Sequence, residues 1–211
     1  MKNIIIKRII ILPALIMLIL PSMTACLKEQ EKNDEPLPEY YEAYAGVLTE
    51  FMNSDKNQFD DAAFVLAYID DDDIPELLVS DTYAKSGIVS IYTYNLGEAV
   101  LVDTAGTNGL IYFNERSGMY VAVDEDMVCS GCTVTRMNAT SIEKVWTGRS
   151  EKDLGYASDP GEDAEIRYFS ENEEVDEATY NALLGEYMPE DIKSNADGYP
   201  LTEENINSIF R

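Results

Sequence analysis

The sequence predicts an α+β domain, in which an antiparallel β-meander of about eight short strands packs against one N-terminal helix and one or two C-terminal helices. Apolar residues recur at helical spacing shortly after residue 38 and again after residue 176. Between these two regions, short runs of branched and aromatic residues alternate with Gly, Asn or Ser turns. No segment between the runs is long and periodic enough to form the crossover helix that parallel strands need.

The first predicted helix spans residues 38–52, because its apolar side chains fall on one helical face. Strands are predicted for the short apolar runs that follow, at residues 63–69, 76–80, 87–94, 99–104, 109–113, 119–123, 132–137, 142–147 and 165–169. A further helix is predicted over residues 176–188, and residues 189–200 have the composition of a loop. Thr202 can cap a last short helix.

The N-terminus has the pattern of an export signal. Three basic residues precede an uncharged apolar run at residues 9–20, and small residues precede Cys26. A cysteine after a small residue resembles the lipobox of bacterial lipoproteins, although Met23 stands where that box usually has Leu. An uncleaved membrane helix is the alternative, and Pro13 and Pro21 argue against it.

This pattern divides the chain into a signal peptide at residues 1–25, a polar tether at residues 26–37 and a single domain at residues 38–211. Cys26 would carry a diacylglycerol, whose two acyl chains can hold a protein stably at a membrane. The expected location is the outer, extracytoplasmic face of the cell membrane.

The net charge excludes several kinds of partner. Removal of residues 1–25 takes away three positive charges and no acidic residue, so the net charge changes from -25 to -28. A surface of this sign repels phosphate backbones and anionic headgroups, so nucleic-acid binding is not expected. Divalent cations and cationic partners are favoured instead.

The chain contains no histidine. This composition excludes Ser-His and Cys-His nucleophiles, histidine metal ligands and the usual general base near neutral pH. Carboxylates, Lys, Tyr, Ser, Thr and Cys are the groups that remain for chemistry.

An acidic segment between two predicted strands, YIDDDDIPEL at residues 68–77, is a candidate calcium site. Calcium is held by several oxygen ligands that converge at short range. Asp70, Asp72 and Glu76 would be the ligands here. The segment loosely resembles the Asp-rich loops of integrin-like repeats and EF-hand-type proteins.

Two positions depart from that loop pattern. Tyr68 stands where the first Asp is expected, and Asp73 stands where the Gly of the sharp turn is expected. The alternative is a hairpin-like connection whose acidic residues are solvated, with Ile74 and Leu77 packed inward and Pro75 stiffening the turn.

Cys129 and Cys132 form a CSGC motif between two predicted strands. A half zinc site is excluded, because the chain offers neither a second cysteine pair nor a histidine. A thioredoxin-like redox pair needs a helix N-terminus, which this position does not provide. Export favours a disulfide that closes a tight bulge, and a pair of reduced thiols is the alternative.

Two further groups of residues have structural as well as functional explanations. With 40 acidic residues, carboxylate pairs suited to glycoside hydrolysis occur at any spacing and have little specificity. Five aromatic residues could stack on a sugar, but cross-strand pairing that stabilises the sheet is the expected role of Tyr92, Tyr94, Tyr112, Tyr120 and Trp146.

Three segments carry a resemblance over most of the predicted mature chain: FVLAYIDDDDIPELLV at residues 64–79, GIVSIYTYN at residues 87–95 and YPLTEENI at residues 199–206. They resemble a group of uncharacterised secreted lipoproteins of Gram-positive anaerobes. The resemblance implies an exported α+β domain on the outer face of the cytoplasmic membrane. It supplies no catalytic residues.

These observations predict a surface-anchored, non-catalytic binding module with an unknown extracellular partner and a possible calcium ion at the acidic segment. The alternative is a carboxylate-dependent hydrolase that acts on envelope or dietary polysaccharide. Two partly buried acids that face each other across a cleft would favour the hydrolase.

Overall fold

The domain contains both α-helices and antiparallel β-strands, in agreement with the predicted mixed α and β class. The computed structural model describes residues 37–54, 61–82, 87–125, 129–152 and 165–211. The predicted signal peptide, Cys26 and nearly all of the predicted tether lie outside these residues. Residues 37–211 cluster into one compact unit.

Three α-helices occur in the described part of the chain, close to the predicted positions. They are α1 (Glu39–Met52), α2 (Glu177–Tyr187) and α3 (Glu203–Phe210). Asp176 caps α2 by accepting a hydrogen bond from the Thr179 N–H, and Thr202 caps α3 by accepting one from Asn205. The predicted cap at Thr202 is therefore confirmed.

The first sheet contains five antiparallel strands in the order β12-β1-β2-β3-β4. Strands β1 to β4 form a meander. A short turn joins β3 to β4, and a longer acidic connection joins β1 to β2. The strand bounds are β1 (Ala63–Ala67), β2 (Glu76–Ser80), β3 (Val89–Asn95), β4 (Glu98–Ala105) and β12 (Tyr199–Pro200). The C-terminal strand β12 adds to the edge beside β1.

The second sheet contains seven antiparallel strands in the order β10-β9-β8-β7-β6-β5-β11. Its strands are β5 (Ile111–Asn114), β6 (Met119–Glu125), β7 (Cys129–Asn138), β8 (Ser141–Lys152), β9 (Ile166–Ser170), β10 (Glu173–Val175) and β11 (Lys193–Ser194). The longest pairing joins β7 to β8, with one bulge between Val134 and Thr135.

The prediction of a single meander of about eight strands is therefore wrong. The described residues form twelve strands in two sheets. Three of the strands that the prediction missed have two or three residues each, too few to show an alternating pattern. Two of those lie in residues 189–200, which the composition assigned to a loop.

The two sheets pack face to face; two helices cover the outer face of the first sheet and one helix covers that of the second. Leu77 and Val79 of β2 point toward α1 and α3, whereas Leu78 points toward the second sheet. On β6, Tyr120 and Ala122 point toward the first sheet, and Val121 points toward α2. The order of layers is therefore helices, first sheet, second sheet, helix.

A buried asparagine joins the C-terminal segment to both sheets. The Asn195 side chain is only 2% exposed. Its oxygen accepts a hydrogen bond from the Ile111 N–H at 2.8 Å, and its amide donates to Ser80 Oγ at 2.6 Å and to the Gly109 carbonyl at 3.0 Å. Because Ser80 lies in the first sheet and Ile111 in the second, this side chain connects the two where they meet.

We predict that Asn195→Ala lowers the free energy of unfolding by about 2–4 kcal/mol, because the substitution leaves buried backbone and hydroxyl groups without that partner. Urea denaturation measures the change. Asn95→Ala, at the exposed end of β3, is the matched control and should change the free energy of unfolding little. Equal stability of the two variants would contradict the prediction.

Candidate functional site

The acidic segment lies in the connection between β1 and β2, whose facing ends are Ala67 and Glu76. Two Asp side chains fold back onto the connection itself. Asp70 Oδ1 accepts a hydrogen bond from the Asp72 N–H at 3.1 Å, and Asp72 Oδ1 accepts one from the Ile74 N–H at 2.7 Å. Successive Asx turns of this kind shape the chain locally, which is why Asp is favoured in turns.

Glu76 is the first residue of β2, and its side chain is 0% exposed. Its Oε2 accepts a hydrogen bond from the Ile69 N–H at 2.8 Å. Its Oε1 is buried and meets no hydrogen-bond donor among the described residues. A buried carboxylate oxygen without a partner is unfavourable, so its presence requires an explanation.

The three predicted ligands converge. One carboxylate oxygen each from Asp70, Asp72 and Glu76 lies within 4.8 Å of the others. Asp70 is buried, with 6% exposure, and Asp72 is exposed. The cluster therefore extends from the interior of the domain to its surface, and the alternative of a connection whose acids are simply solvated does not describe Asp70 or Glu76.

Burial is the main reason that the pKa of Glu76 rises to about 8, and the nearby negative charges of Asp70 and Asp72 raise it further. The hydrogen bond from Ile69 acts in the opposite direction. Burial also raises the pKa of Asp72, with a smaller contribution from Asp70. In both cases loss of solvation is the largest cause of the raised pKa, and the charges of neighbouring carboxylates add a smaller contribution.

The β5–β6 turn of the second sheet holds the acidic segment in position. The Arg116 N–H donates to the Tyr68 carbonyl and the Gly118 N–H donates to the Ile69 carbonyl, both at 2.8 Å. The Arg116 guanidinium donates to the Asp72 carbonyl at 3.0 Å and pairs with Asp73 at 3.2 Å.

This turn accounts for the two departures from the calcium-loop pattern. The Arg116 guanidinium lies 5.0 Å from the centre of the Tyr68 ring, as in a cation–π contact. Asp73 does not adopt a positive φ, so its backbone has no need of the Gly expected there. Its exposed carboxylate pairs with Arg116 instead.

Helix α1 supports the other side of the acidic segment. The Tyr44 hydroxyl, fully buried, donates a hydrogen bond to the Pro75 carbonyl at 2.8 Å. Together with Arg116 and Gly118, Tyr44 was missed by the sequence reasoning. These residues are far from the acidic segment in sequence, and no local sequence motif around them indicates that they contact it.

The geometry of the three acids suits one cation better than a hydrolytic pair. Oxygens bound to one calcium ion at about 2.4 Å can lie no farther than about 4.8 Å apart. The two carboxyl groups of a glycosidase flank the scissile bond at about 5–9.5 Å and must both reach the substrate. Because Glu76 is fully buried, it has no such access, and the hydrolase alternative is not favoured at this cluster.

The CSGC motif lies within the regular strand β7 instead of a tight bulge. Cys132 faces Gly148 across the strands and Cys129 faces Glu151. Residues three apart in a strand point to opposite faces, with Cα atoms about 10 Å apart, whereas a disulfide needs less than about 7 Å. The two cysteines are not bonded to each other in the structure, and the strand geometry argues against the predicted disulfide.

The five aromatic residues do not form a common sugar-binding face. Tyr120 is buried between the sheets and faces Phe113 across the strands, whereas Trp146 is buried beneath α2. Tyr92 and Tyr94 pack on the core beneath α1, and Tyr112 belongs to the core beneath α2. Their role is structural, as expected, but except for Tyr120 opposite Phe113 they pack the separate cores and the helices instead of forming the predicted cross-strand aromatic pairs. Trp146 contacts Tyr180 and Tyr187, and Tyr94 contacts Tyr40.

Comparisons of the chain with protein-family models, with curated proteins and with solved structures give no match. The likeness to secreted lipoproteins is thus a prediction from the sequence segments alone. Among the described residues, no helix has both the length and the apolar composition needed to cross a bilayer.

We predict that Cys132 reacts with a thiol reagent much more slowly than Cys129 in the native protein, and that its rate still increases above pH 9. Cys132 is 7% exposed, and burial raises the pKa of its thiol above the usual 9.0, so little thiolate forms at lower pH. Cys129 is half-buried. Peptide mass spectrometry after timed alkylation measures each site, and equal rates or a Cys129–Cys132 disulfide peptide would contradict the prediction.

Proposed function

We propose that the protein is a membrane-anchored extracytoplasmic lipoprotein whose domain is a non-catalytic calcium-binding module, with Asp70, Asp72 and Glu76 as side-chain ligands. The observation that carries the proposal is the fully buried Glu76, which reaches the same small volume as Asp70 and Asp72 and has one oxygen that meets no hydrogen-bond donor in the described part of the chain. A divalent cation supplies the partner that this oxygen lacks.

The energetic argument concerns the cost of burying charge. Three ionised carboxylates in one volume would repel one another, and burial removes the water that would stabilise them, which is why the pKa of Glu76 is raised to about 8. A cation at their centre reverses both effects, because it neutralises the charge and coordinates the oxygens directly. Binding therefore converts an unfavourable cluster into a stabilising one.

The chemistry of the donors favours calcium. All three side chains offer oxygen, and the chain has no histidine for softer metals. Calcium accepts six to eight oxygens at irregular geometry, whereas magnesium demands a near-ideal octahedron and keeps its waters. A loop shaped by Asx turns, with one ligand from the following strand, fits the more adaptable ion.

The proposed location comes from the sequence alone. Basic residues, an apolar run and Cys26 in the N-terminal 26 residues support cleavage and lipidation. The strong negative charge of the chain disfavours binding to anionic lipids, so the proposed diacylglycerol is its means of attachment. Calcium sites of extracellular modules have dissociation constants of about 0.1–1 mM, and we expect a similar value for a site on the outer face of a membrane.

We predict that calcium raises the melting temperature of the full-length protein in detergent by about 5–10 °C at a concentration about a hundred times its dissociation constant. Glu76→Gln should abolish the shift, since it removes a buried ligand charge yet keeps an acceptor for the Ile69 N–H. Differential scanning calorimetry with and without calcium measures the effect.

Asp71→Asn is the matched control, because Asp71 is an exposed acid in the same connection and does not belong to the cluster. This variant should retain the full calcium shift, and Asp72→Asn should retain only part of it. Absence of any shift in the unmodified protein at about 10–100 mM calcium, which is about a hundred times the expected dissociation constant, would overturn the proposal. An equal loss in Asp71→Asn would show that general acidity, and not this cluster, binds the ion.

We predict that the exported protein begins at Cys26 and carries a diacylglycerol on that residue. Cys26→Ser should release the domain from the membrane fraction, or leave it with an uncleaved N-terminus. Mass spectrometry of the N-terminal peptide and membrane fractionation measure these outcomes. An intact N-terminus in the unmodified protein would contradict the lipoprotein assignment.

A further inference from the structure

A cleft of about 440 Å³ lies directly beside the acidic cluster. One wall is formed by residues 70–72, which include two of the proposed calcium ligands. The opposite wall comes from the second sheet, at the β5–β6 turn (residues 116–118) and the β7–β8 hairpin (residues 136–139). The cleft therefore gives external molecules access to the proposed ion.

The proposed ion has room for an external oxygen. The three side chains provide three oxygens at one point, and calcium takes six to eight. Because Asp70 and Asp72 both line the cleft, at least part of the remaining coordination sphere faces it. Water or a ligand carboxylate can complete that sphere.

Two arginines also line the cleft, in a chain with 15 basic and 40 acidic residues. The side chains of Arg116 and Arg136 are 48% and 47% exposed. Each pairs with a well-exposed acid, Asp73 or Glu143, and pairs of this kind contribute little to stability. An incoming carboxylate can replace Asp73 or Glu143 at low cost, while Arg116 keeps its hydrogen bond to the Asp72 carbonyl. An Arg guanidinium is well suited to bind a carboxylate through two hydrogen bonds.

Apart from the buried side chain of Met137, the rest of the lining is polar or small. Ser117 and Asn138 are exposed and carry hydroxyl and amide groups, and Gly118 and Ala139 add little side-chain bulk. No aromatic ring occurs among the described residues that line the cleft. Such a surface suits a hydroxylated ligand, not a flat apolar one.

We propose that this cleft binds the carboxylate of an acidic sugar, a hexuronate, with calcium at the acidic cluster and the guanidinium groups of Arg116 and Arg136 as its cationic partners. The inference rests on the proposed calcium site and specifies its ligand. On one wall, the proposed calcium ion coordinates an oxygen of the sugar carboxylate. On the other wall, the two arginines donate hydrogen bonds to the same carboxylate. Neutral sugars lack the group that both recognise.

The test compares galacturonate with galactose, which differs in lacking the carboxylate, by isothermal titration of the full-length protein in detergent with millimolar calcium. Galacturonate should bind and galactose should not. Arg136→Gln should weaken galacturonate binding about tenfold or more and leave calcium affinity unchanged, because Arg136 does not contact the acidic segment in the described hydrogen bonds. Oligogalacturonate is a second titrant that distinguishes a free sugar from a polysaccharide as the source.

Arg167→Gln is the matched control, since Arg167 is a half-exposed, ion-paired arginine elsewhere on the second sheet. It should leave galacturonate binding unchanged. Equal binding of the two sugars, no binding of galacturonate, or no effect of Arg136→Gln would overturn the inference.

Calcium titration without sugar separates this inference from the proposed function. Calcium binding without galacturonate binding overturns the ligand assignment alone. Failure of calcium to bind overturns the proposed function, and galacturonate binding that persists in Glu76→Gln with a chelator overturns the role of calcium in recognition.

Discussion

The burial of β2 on both faces is the constraint on which the rest of the structure depends. All five residues of this strand are buried, because α1 and α3 cover one face of the first sheet and the second sheet covers the other. Leu77 and Val79 therefore serve one core and Leu78 serves another. Glu76 opens the strand, so its position is determined by two layers of packing at once, which explains how a carboxylate remains in so unfavourable a place.

Elements with a strong local signal could be predicted from the sequence. The apolar spacing of α1 and the cap at Thr202 depend on neighbouring residues, and both predictions agree with the structure. The division into two sheets depends on which strands pair over long distances, and alternation along one strand carries no such information. The double burial of β2 does leave a trace, the unbroken apolar run Leu77–Val79, but a run of this length also fits a strand in a single sheet.

The candidate site shows the same distinction. Asp70, Asp72 and Glu76 lie within seven residues, so their spacing alone was enough to group them. Their supports are remote: Arg116 is 44 residues from the Asp72 carbonyl that it contacts, and Tyr44 is 31 residues from Pro75. The burial of Glu76 was equally invisible, because an acid at the start of a strand is normally solvated. The tertiary fold, and not the motif, makes the cluster unusual.

The hydrogen bonds of Asn195 join the C-terminal segment to both sheets, and this arrangement affects how the chain folds. The last segment supplies β11 to one sheet and β12 to the other, and α3 packs against α1 at the opposite end of the sequence. Contacts between such distant residues form slowly, since a long loop must close before they are made. A polypeptide that emerges N-terminus first, from a ribosome or a translocation channel, therefore cannot complete either sheet until residues 193–200 have emerged.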